Sequence, residues 1–146
     1  MRASGTALVV GVLSVTGLAA SLAAAVSFPA DGVLVYSSLC VGEEDAGGDK
    51  VVLIRDPDGV TAVYWRTEGA ILAPLLAFGP ADVKVDERKG RISLRFVDPE
   101  IGPAAGTYVL DGTITDDELT VSSNVAGALR MPRVRAFEAQ LPKCRG

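Results

Sequence analysis

The amino-acid sequence predicts an all-β domain, because short alternating segments and frequent turn residues fill the chain after residue 26 and helical periodicity is nearly absent. About eight short strands recur at intervals of roughly ten residues. Sequential hairpins favour a small antiparallel meander that closes into a barrel of about eight strands, since closure removes exposed sheet edges. A β-sandwich is the alternative, because the same pattern fits two packed sheets.

Two hairpins carry the most direct signals. Residues 51–54 and 60–67 flank Asp-Pro-Asp-Gly at positions 56–59, where proline presets one turn dihedral and glycine ends the turn. Residues 81–86 and 91–96 alternate apolar and polar side chains around a turn, which predicts one face against a core and one in water.

The other elements are predicted from composition and weaker alternation. In chain order they are a strand within 32–41, a solvated acidic loop at 42–49, a loop at 98–106, strands at 107–114 and 118–123, a connection at 124–132, and a last strand at 133–141. Gly112 within a strand predicts a bulge or sharp coiling. The tyrosines and Trp65 fit a core better than a ligand cavity.

Residues 1–25 have the pattern of a secretory signal: Arg2, an uncharged apolar run, and small side chains at Ala23 and Ala25. Cleavage after Ala25 would leave one β domain, residues 26–146. An uncleaved anchor is the alternative, because about 20 apolar residues can span a bilayer. We therefore expect a periplasmic or secreted bacterial protein that meets the membrane only transiently, through its signal segment.

Both cysteines, Cys40 and Cys144, lie after the signal segment. In an oxidising compartment an even number of cysteines predicts a disulfide, and two allow only one pairing. This bridge would join the first strand to the end of the chain.

Composition excludes several function classes. The chain has no histidine, which removes Ser-His-Asp and Cys-His catalysis and histidine-ligated metals. Its formal net charge is −4, which argues against nucleic-acid binding. The carboxylates of residues 43–49 lack the regular spacing of a calcium loop. We expect no cofactor, no metal and no enzymatic activity.

Two groups of residues are candidate contacts for a ligand or partner. One is the apolar stretch 69–79, which either plugs an end of the barrel or forms an exposed lip; its large side chains are Ile71, Leu72, Leu75, Leu76 and Phe78. The other is the pair Arg133 and Arg135, which share one face of the last predicted strand and would centre a basic patch, or would face the acidic residues 43–45.

Residues 64–69 read Tyr-Trp-Arg-Thr-Glu-Gly, which is similar to a Trp-Thr-Lys-Gly segment of small exported barrels that inhibit lysozyme. Those proteins resemble this chain in plan, with a signal, eight strands and one disulfide to the C-terminus. Thr67 and Glu68 stand where the inhibitors carry their lysine, so no functional residue carries over.

The sequence therefore predicts an exported, non-catalytic domain of the bacterial envelope. It would bind a small ligand or an unknown envelope protein, in the manner of an inhibitor. The alternative is a structural or accessory subunit that docks onto a larger envelope assembly.

Overall fold

The computed structural model describes residues 26–43, 45–70, 76–78, 80–98, 102–104, 106–135 and 141–144. Every regular element among these residues is a β-strand. The strands form two antiparallel sheets, so the all-β prediction is confirmed. No helix in the described ranges is long and apolar enough to cross a bilayer.

The first sheet has the spatial order β1-β3-β4-β5, and β2 pairs with the beginning of β3. Its strands are β1 (Val33–Ser37), β2 (Cys40–Val41), β3 (Asp45–Asp56), β4 (Gly59–Ala70) and β5 (Leu76–Phe78). Neighbouring strands mostly follow one another in the chain, as in a meander.

The second sheet has the order β10-β9-β8-β7-β6, so each strand pairs with the next one in the chain. Its strands are β6 (Pro80–Asp86), β7 (Arg91–Val97), β8 (Thr107–Ile114), β9 (Glu118–Ser123) and β10 (Gly127–Pro132). The predicted strands 107–114 and 118–123 are confirmed with these bounds. Pairing runs through Gly112 without a register shift, so the structure shows no bulge there. A Cβ at this position would lie 2.1 Å from the carbonyl oxygen of Thr120, so the close approach of β9 requires glycine.

The β3–β4 hairpin is longer than predicted. Its two-residue turn is closed by the Asp56 carboxylate, which accepts hydrogen bonds from the amides of Asp58 and Gly59 at 2.9 and 3.0 Å. From this turn the pairing continues to Asp45 opposite Ala70. The prediction of a solvated loop is therefore wrong for residues 45–49: their acidic, glycine-rich composition resembles a loop, but backbone pairing on both sides holds them in a strand.

The two sheets share one core. Buried apolar side chains come from both sheets and from Val26, which is 3% exposed at the start of the described chain. Tyr36 and Tyr64 are completely buried, as predicted for core aromatics. Trp65 is only half-buried, and the Lys50 ammonium lies 5.5 Å from its ring centroid.

The two sheets meet along two borders, and no closed barrel forms among the described residues. At the first border, β1 meets the chain just after β10 through a single bridge between Tyr36 and Arg133 and a 2.8 Å hydrogen bond from the Val134 amide to the Val35 carbonyl. At the second border, β4 and β6 are neighbours, but no described backbone hydrogen bond joins them. The expected closure into one continuous sheet is therefore not found.

The last predicted strand is also corrected. Residues 127–132, predicted as a connection, form β10, because Leu129 and Met131 turn toward the core between exposed neighbours. The predicted strand 133–141 is limited in the described residues to the bridge at Arg133. Residues 136–140 lie outside the described part of the chain.

The Cys40–Cys144 disulfide is confirmed, with a Cα–Cα distance of 4.9 Å. The chain around Cys144 lies parallel to β2: the Val41 amide donates to the Pro142 carbonyl at 2.9 Å, and the Cys144 amide donates to the Val41 carbonyl at 3.1 Å. The bond and this short ladder fasten the end of the chain to the first sheet. A disulfide of this kind persists in oxidising compartments, which points to a location outside the cytoplasm.

Candidate functional site

A cleft of about 910 Å³ lies at the border between β4 and β6, and we call it the β4–β6 cleft. Its lining consists of residues 59–60 of β4, 83–86 of β6, 91–93 of β7 and 111–113 of β8. This volume is near the upper end of the range of roughly 300–1,000 Å³ that is usual for ligand sites.

The interior of the cleft is apolar. Val60, Val83 and Val85 are half-buried side chains packed against the core, and Ile92 is buried. Alternation along β6 places valines on this inner face and Lys84 and Asp86 on the other. The cleft therefore offers an apolar surface continuous with the core.

Local irregularity explains why the cleft exists. The register between β6 and β7 shifts between Pro80 and Asp82, and a shift of this kind bends a strand and increases its twist. Just before this bend, β5 pairs with β4 at Tyr64, Trp65 and Arg66. Beyond it, β7 is the only strand of the described residues that pairs with β6. Among the described residues, β4 therefore pairs with β5 before the bend and has no ladder with β6 after it.

Charged residues surround the open end of the cleft. Arg55 and Glu87 form an ion pair there, and Lys89 lies 3.6 Å from Asp86. Asp58 is also exposed at this end. Around the cleft and the adjoining depression at the β3–β4 turn, five carboxylates face four cations; they are Asp56, Asp58, Asp86, Glu87 and Asp111 against Arg55, Lys84, Lys89 and Arg91.

A second polar cluster lies farther along β4, about 20 Å from Val60 to Arg66 by strand geometry. Asp49 is only 5% exposed, accepts a hydrogen bond from the Tyr64 hydroxyl, and lies 3.7 Å from Arg66 Nη1. The Tyr64 ring packs against Phe96 at 5.4 Å between centroids. Burial, together with the Asp49 carboxylate, raises the pKa of Tyr64 far above its usual value.

These contacts give the cluster a structural role. A tyrosine with a raised pKa keeps its proton at neutral pH, so its hydroxyl donates a hydrogen bond and does not act as a base. The buried Asp49 carboxylate is balanced by the Arg66 guanidinium opposite it in the hairpin. The sequence analysis did not predict this pair. The predicted turn at 56–59 could have indicated it, because counting outward from the turn along both strands places residue 49 opposite residue 66.

Arg133 and Arg135 both bind the turn between β8 and β9. Arg133 donates to the Asp116 carbonyl at 3.2 Å, and Arg135 donates to the same carbonyl at 3.1 Å and to the Asp117 carboxylate. The alternative in which they face residues 43–45 stays a prediction, because Glu44 lies outside the described residues. Whether they also contact a partner stays a prediction.

The apolar stretch predicted as a plug or lip is only partly described. Ile71, Leu72 and Leu75 lie outside the described residues. Leu76 and Phe78 belong to β5, at the positions opposite Arg66 and Tyr64. Their proposed contacts with a ligand stay a prediction.

The described residues contain no group of three or more histidine, cysteine, aspartate or glutamate side chains that could hold a metal ion. Fold and cleft together define a small disulfide-bonded all-β domain with an apolar border cleft.

Comparison with known proteins adds no relative: no family model, no curated protein and no solved structure matches the chain.

Proposed function

We propose that this chain is an exported, non-catalytic binding domain of the bacterial envelope and that it binds its partner at the β4–β6 cleft. The cleft is the observation that carries this proposal. It combines a ligand-sized volume, an apolar interior and a charged rim, and these are the features that binding sites share.

Two features support the export part of the proposal. The disulfide is typical of proteins outside the cytoplasm. The two residues that follow the expected cleavage position are also anchored to the domain, because Val26 is buried in the core and the Ser27 amide donates to Asp116 at 2.9 Å. Cleavage after Ala25 would leave both anchoring residues in the mature protein.

The non-catalytic part rests on the chemistry of the polar groups. The tyrosine hydroxyl in the buried polar cluster is held protonated, and the arginines after β10 are engaged by Asp116 and Asp117. Neither arrangement provides an activated nucleophile or a general base near the cleft.

Site-specific photo-crosslinking in the native host tests the proposal. A benzophenone amino acid would replace Lys84 at the cleft or, as a matched control, Ala128 on the exposed face of β10. We expect a discrete adduct in the envelope fraction from position 84 and none from position 128. No adduct at position 84, or equal adducts at both, would contradict the proposal, and adducts from position 128 alone would favour the alternative of a structural subunit.

A further inference from the structure

The first sheet has an unusual face on the side that points away from the core. Leu34, Leu53 and Tyr64 are buried in the core, so alternation along β1, β3 and β4 turns the residues beside them outward. Strand pairing sets these outward residues in three rows across the sheet. The rows are Val33, Ile54 and Thr61, then Val35, Val52 and Val63, then Ser37, Lys50 and Trp65.

The apolar residues of these rows form a diagonal stripe. The middle row consists of valines, whereas Thr61 ends the first row and Ser37 begins the last, at opposite corners. Ile54 is 38% exposed, and the valines and Trp65 are half-buried. We call the six apolar residues the outer stripe; they are Val33, Val35, Val52, Ile54, Val63 and Trp65.

The second sheet shows what a solvated outer face looks like in this molecule. Its outward rows across β6 to β9 are polar or charged; they are Lys84, Ser93, Asp111 and Ser122, and Asp86, Arg91, Thr113 and Thr120. An antiparallel sheet with one face in water normally has this alternation of apolar and polar residues. The first sheet departs from it, and a contiguous apolar surface usually marks an interaction site.

Charge indicates which kind of partner this surface suits. Lys50 is the one charged residue among the nine in the three rows, and its ammonium lies 5.5 Å from the centroid of the Trp65 ring. A cation beside apolar side chains is complementary to a partner that presents apolar side chains and a carboxylate. A second copy of this face would present the same lysine and no carboxylate. The formal charge of −4 also opposes self-association and binding to anionic lipid.

The dimensions of the stripe suit one helix. Three strands spaced by about 4.8 Å place β1 about 10 Å from β4, and five extended residues span about 13–17 Å. A helix is about 10–12 Å in diameter with a pitch of 5.4 Å, so about three turns would cover the stripe. An amphipathic helix presents an apolar band of this width, whereas a stacked sheet would also cover the polar corners.

We propose that the outer stripe docks one amphipathic helix of a partner protein. The apolar band of the helix packs on the valine row, and an aspartate or glutamate of the helix pairs with Lys50. This inference goes beyond the proposed function, because none of the six residues of the stripe lines the β4–β6 cleft. The domain then has two separate contacts, one at the cleft and one on the outer face of the first sheet.

Site-specific photo-crosslinking of the full chain in the native host tests the inference. A benzophenone amino acid would replace Ile54 in the stripe or, as a matched control, Ser122 on the exposed face of the second sheet. We expect a protein adduct from position 54 only, and mass spectrometry should map it to an amphipathic helix that contains a carboxylate. Lys50→Glu should lower the adduct yield at least about tenfold. Arg95→Glu makes the same charge change on the second sheet and should leave the yield unchanged.

Exchange of the two charges separates a lost contact from a misfolded variant. Replacing the carboxylate of the partner helix by lysine should restore the adduct of the Lys50→Glu protein, which a misfolded domain would not allow. No adduct at position 54, equal adducts at positions 54 and 122, or an adduct to lipid, to a second copy or to a segment without such a helix would overturn the inference. An unchanged yield for Lys50→Glu, or no restoration by the exchanged charge, would also overturn it. The adduct at position 84 is independent of these results, so the proposed function can stand when the helix inference falls.

Discussion

Gly47 and Gly48 are neighbours in β3 with different requirements. Gly48 has φ +113°, and a Cβ there would lie 2.4 Å from the Ser38 carbonyl oxygen, whereas a Cβ at Gly47 would meet no atom within 4 Å. We expect Gly48→Ala to lower the free energy of unfolding by about 2 kcal/mol or more. Gly47→Ala should stay within about 1 kcal/mol. Urea denaturation measures both, and equal losses would contradict the difference in backbone strain.

Tyr36 predicts an alkaline loss of stability. Burial is the main cause that raises its pKa from 10.0 to about 12. The unfolded chain releases this proton near pH 10 and the folded chain only near pH 12, so the contribution to stability is complete below pH 10 and is lost between pH 10 and 12. The loss amounts to about 2–3 kcal/mol.

Tyr36→Phe provides the control for this pH dependence. It removes the 2.7 Å hydrogen bond to the Thr115 carbonyl and should cost about 1 kcal/mol at neutral pH. Its stability should then fall less steeply above pH 10 than that of the wild type in guanidinium titrations. Parallel curves for the two proteins would show that Tyr36 is not the titrating group.

At the scale of elements, the border between β1 and β10 depends on Arg133 more than on Arg135. The Arg133 side chain is 13% exposed and binds Asp116, whereas that of Arg135 is 60% exposed. We expect Arg133→Ala to cost about 1–3 kcal/mol, because it leaves a part-buried carbonyl without this donor. Arg135→Ala should change stability by no more than about 0.5–1 kcal/mol, as is usual for exposed ion pairs. Thermal unfolding of the two variants measures both contributions to stability. A larger loss for Arg135→Ala than for Arg133→Ala would contradict the greater role of Arg133.

The elements that the sequence predicts correctly are those with local signals. The turn at 56–59 and the alternation around residues 87–90 depend on neighbouring residues, so the hairpins follow from the sequence. Residues 45–49 form a strand because β2 and β4 pair with them, and no local residue pattern reports this. Buried and exposed side chains do alternate along β10. Its first and last residues, Gly127 and Pro132, are however residue types that are common in loops.

At the scale of the whole molecule, the disulfide closes a loop with a sequence separation of 104 residues. Chain entropy alone gives about 4–5 kcal/mol for a loop of this size, and disulfides usually contribute about 2–4 kcal/mol in practice. Cys144→Ser should therefore lower the melting temperature by on the order of 10 °C. Calorimetry of the variant and of reduced wild type should give the same value, and an unchanged melting temperature in both would show that the bond adds no stability.

The disulfide could be predicted from the cysteine count, but the division into two sheets could not. Closure of a barrel depends on whether β6 follows β4 or diverges from it. That outcome depends on the register shift between Pro80 and Asp82, for which the alternating pattern of residues 81–86 gives no signal. The sequence did not predict the candidate cleft for the same reason. The cleft lies where β4 and β6 do not pair, and the sequence gives no signal for that.

The long disulfide also sets an order of events during biosynthesis. Cys40 leaves the ribosome 104 residues before Cys144, which at about 5–20 residues per second is a delay of roughly 5–20 s. Throughout this interval the Cys40 thiol has no correct partner within its own chain. The bridge and the parallel ladder beside Val41 must therefore form after the other described contacts of Cys40, so a nascent chain remains open to incorrect thiol pairing until Cys144 is available.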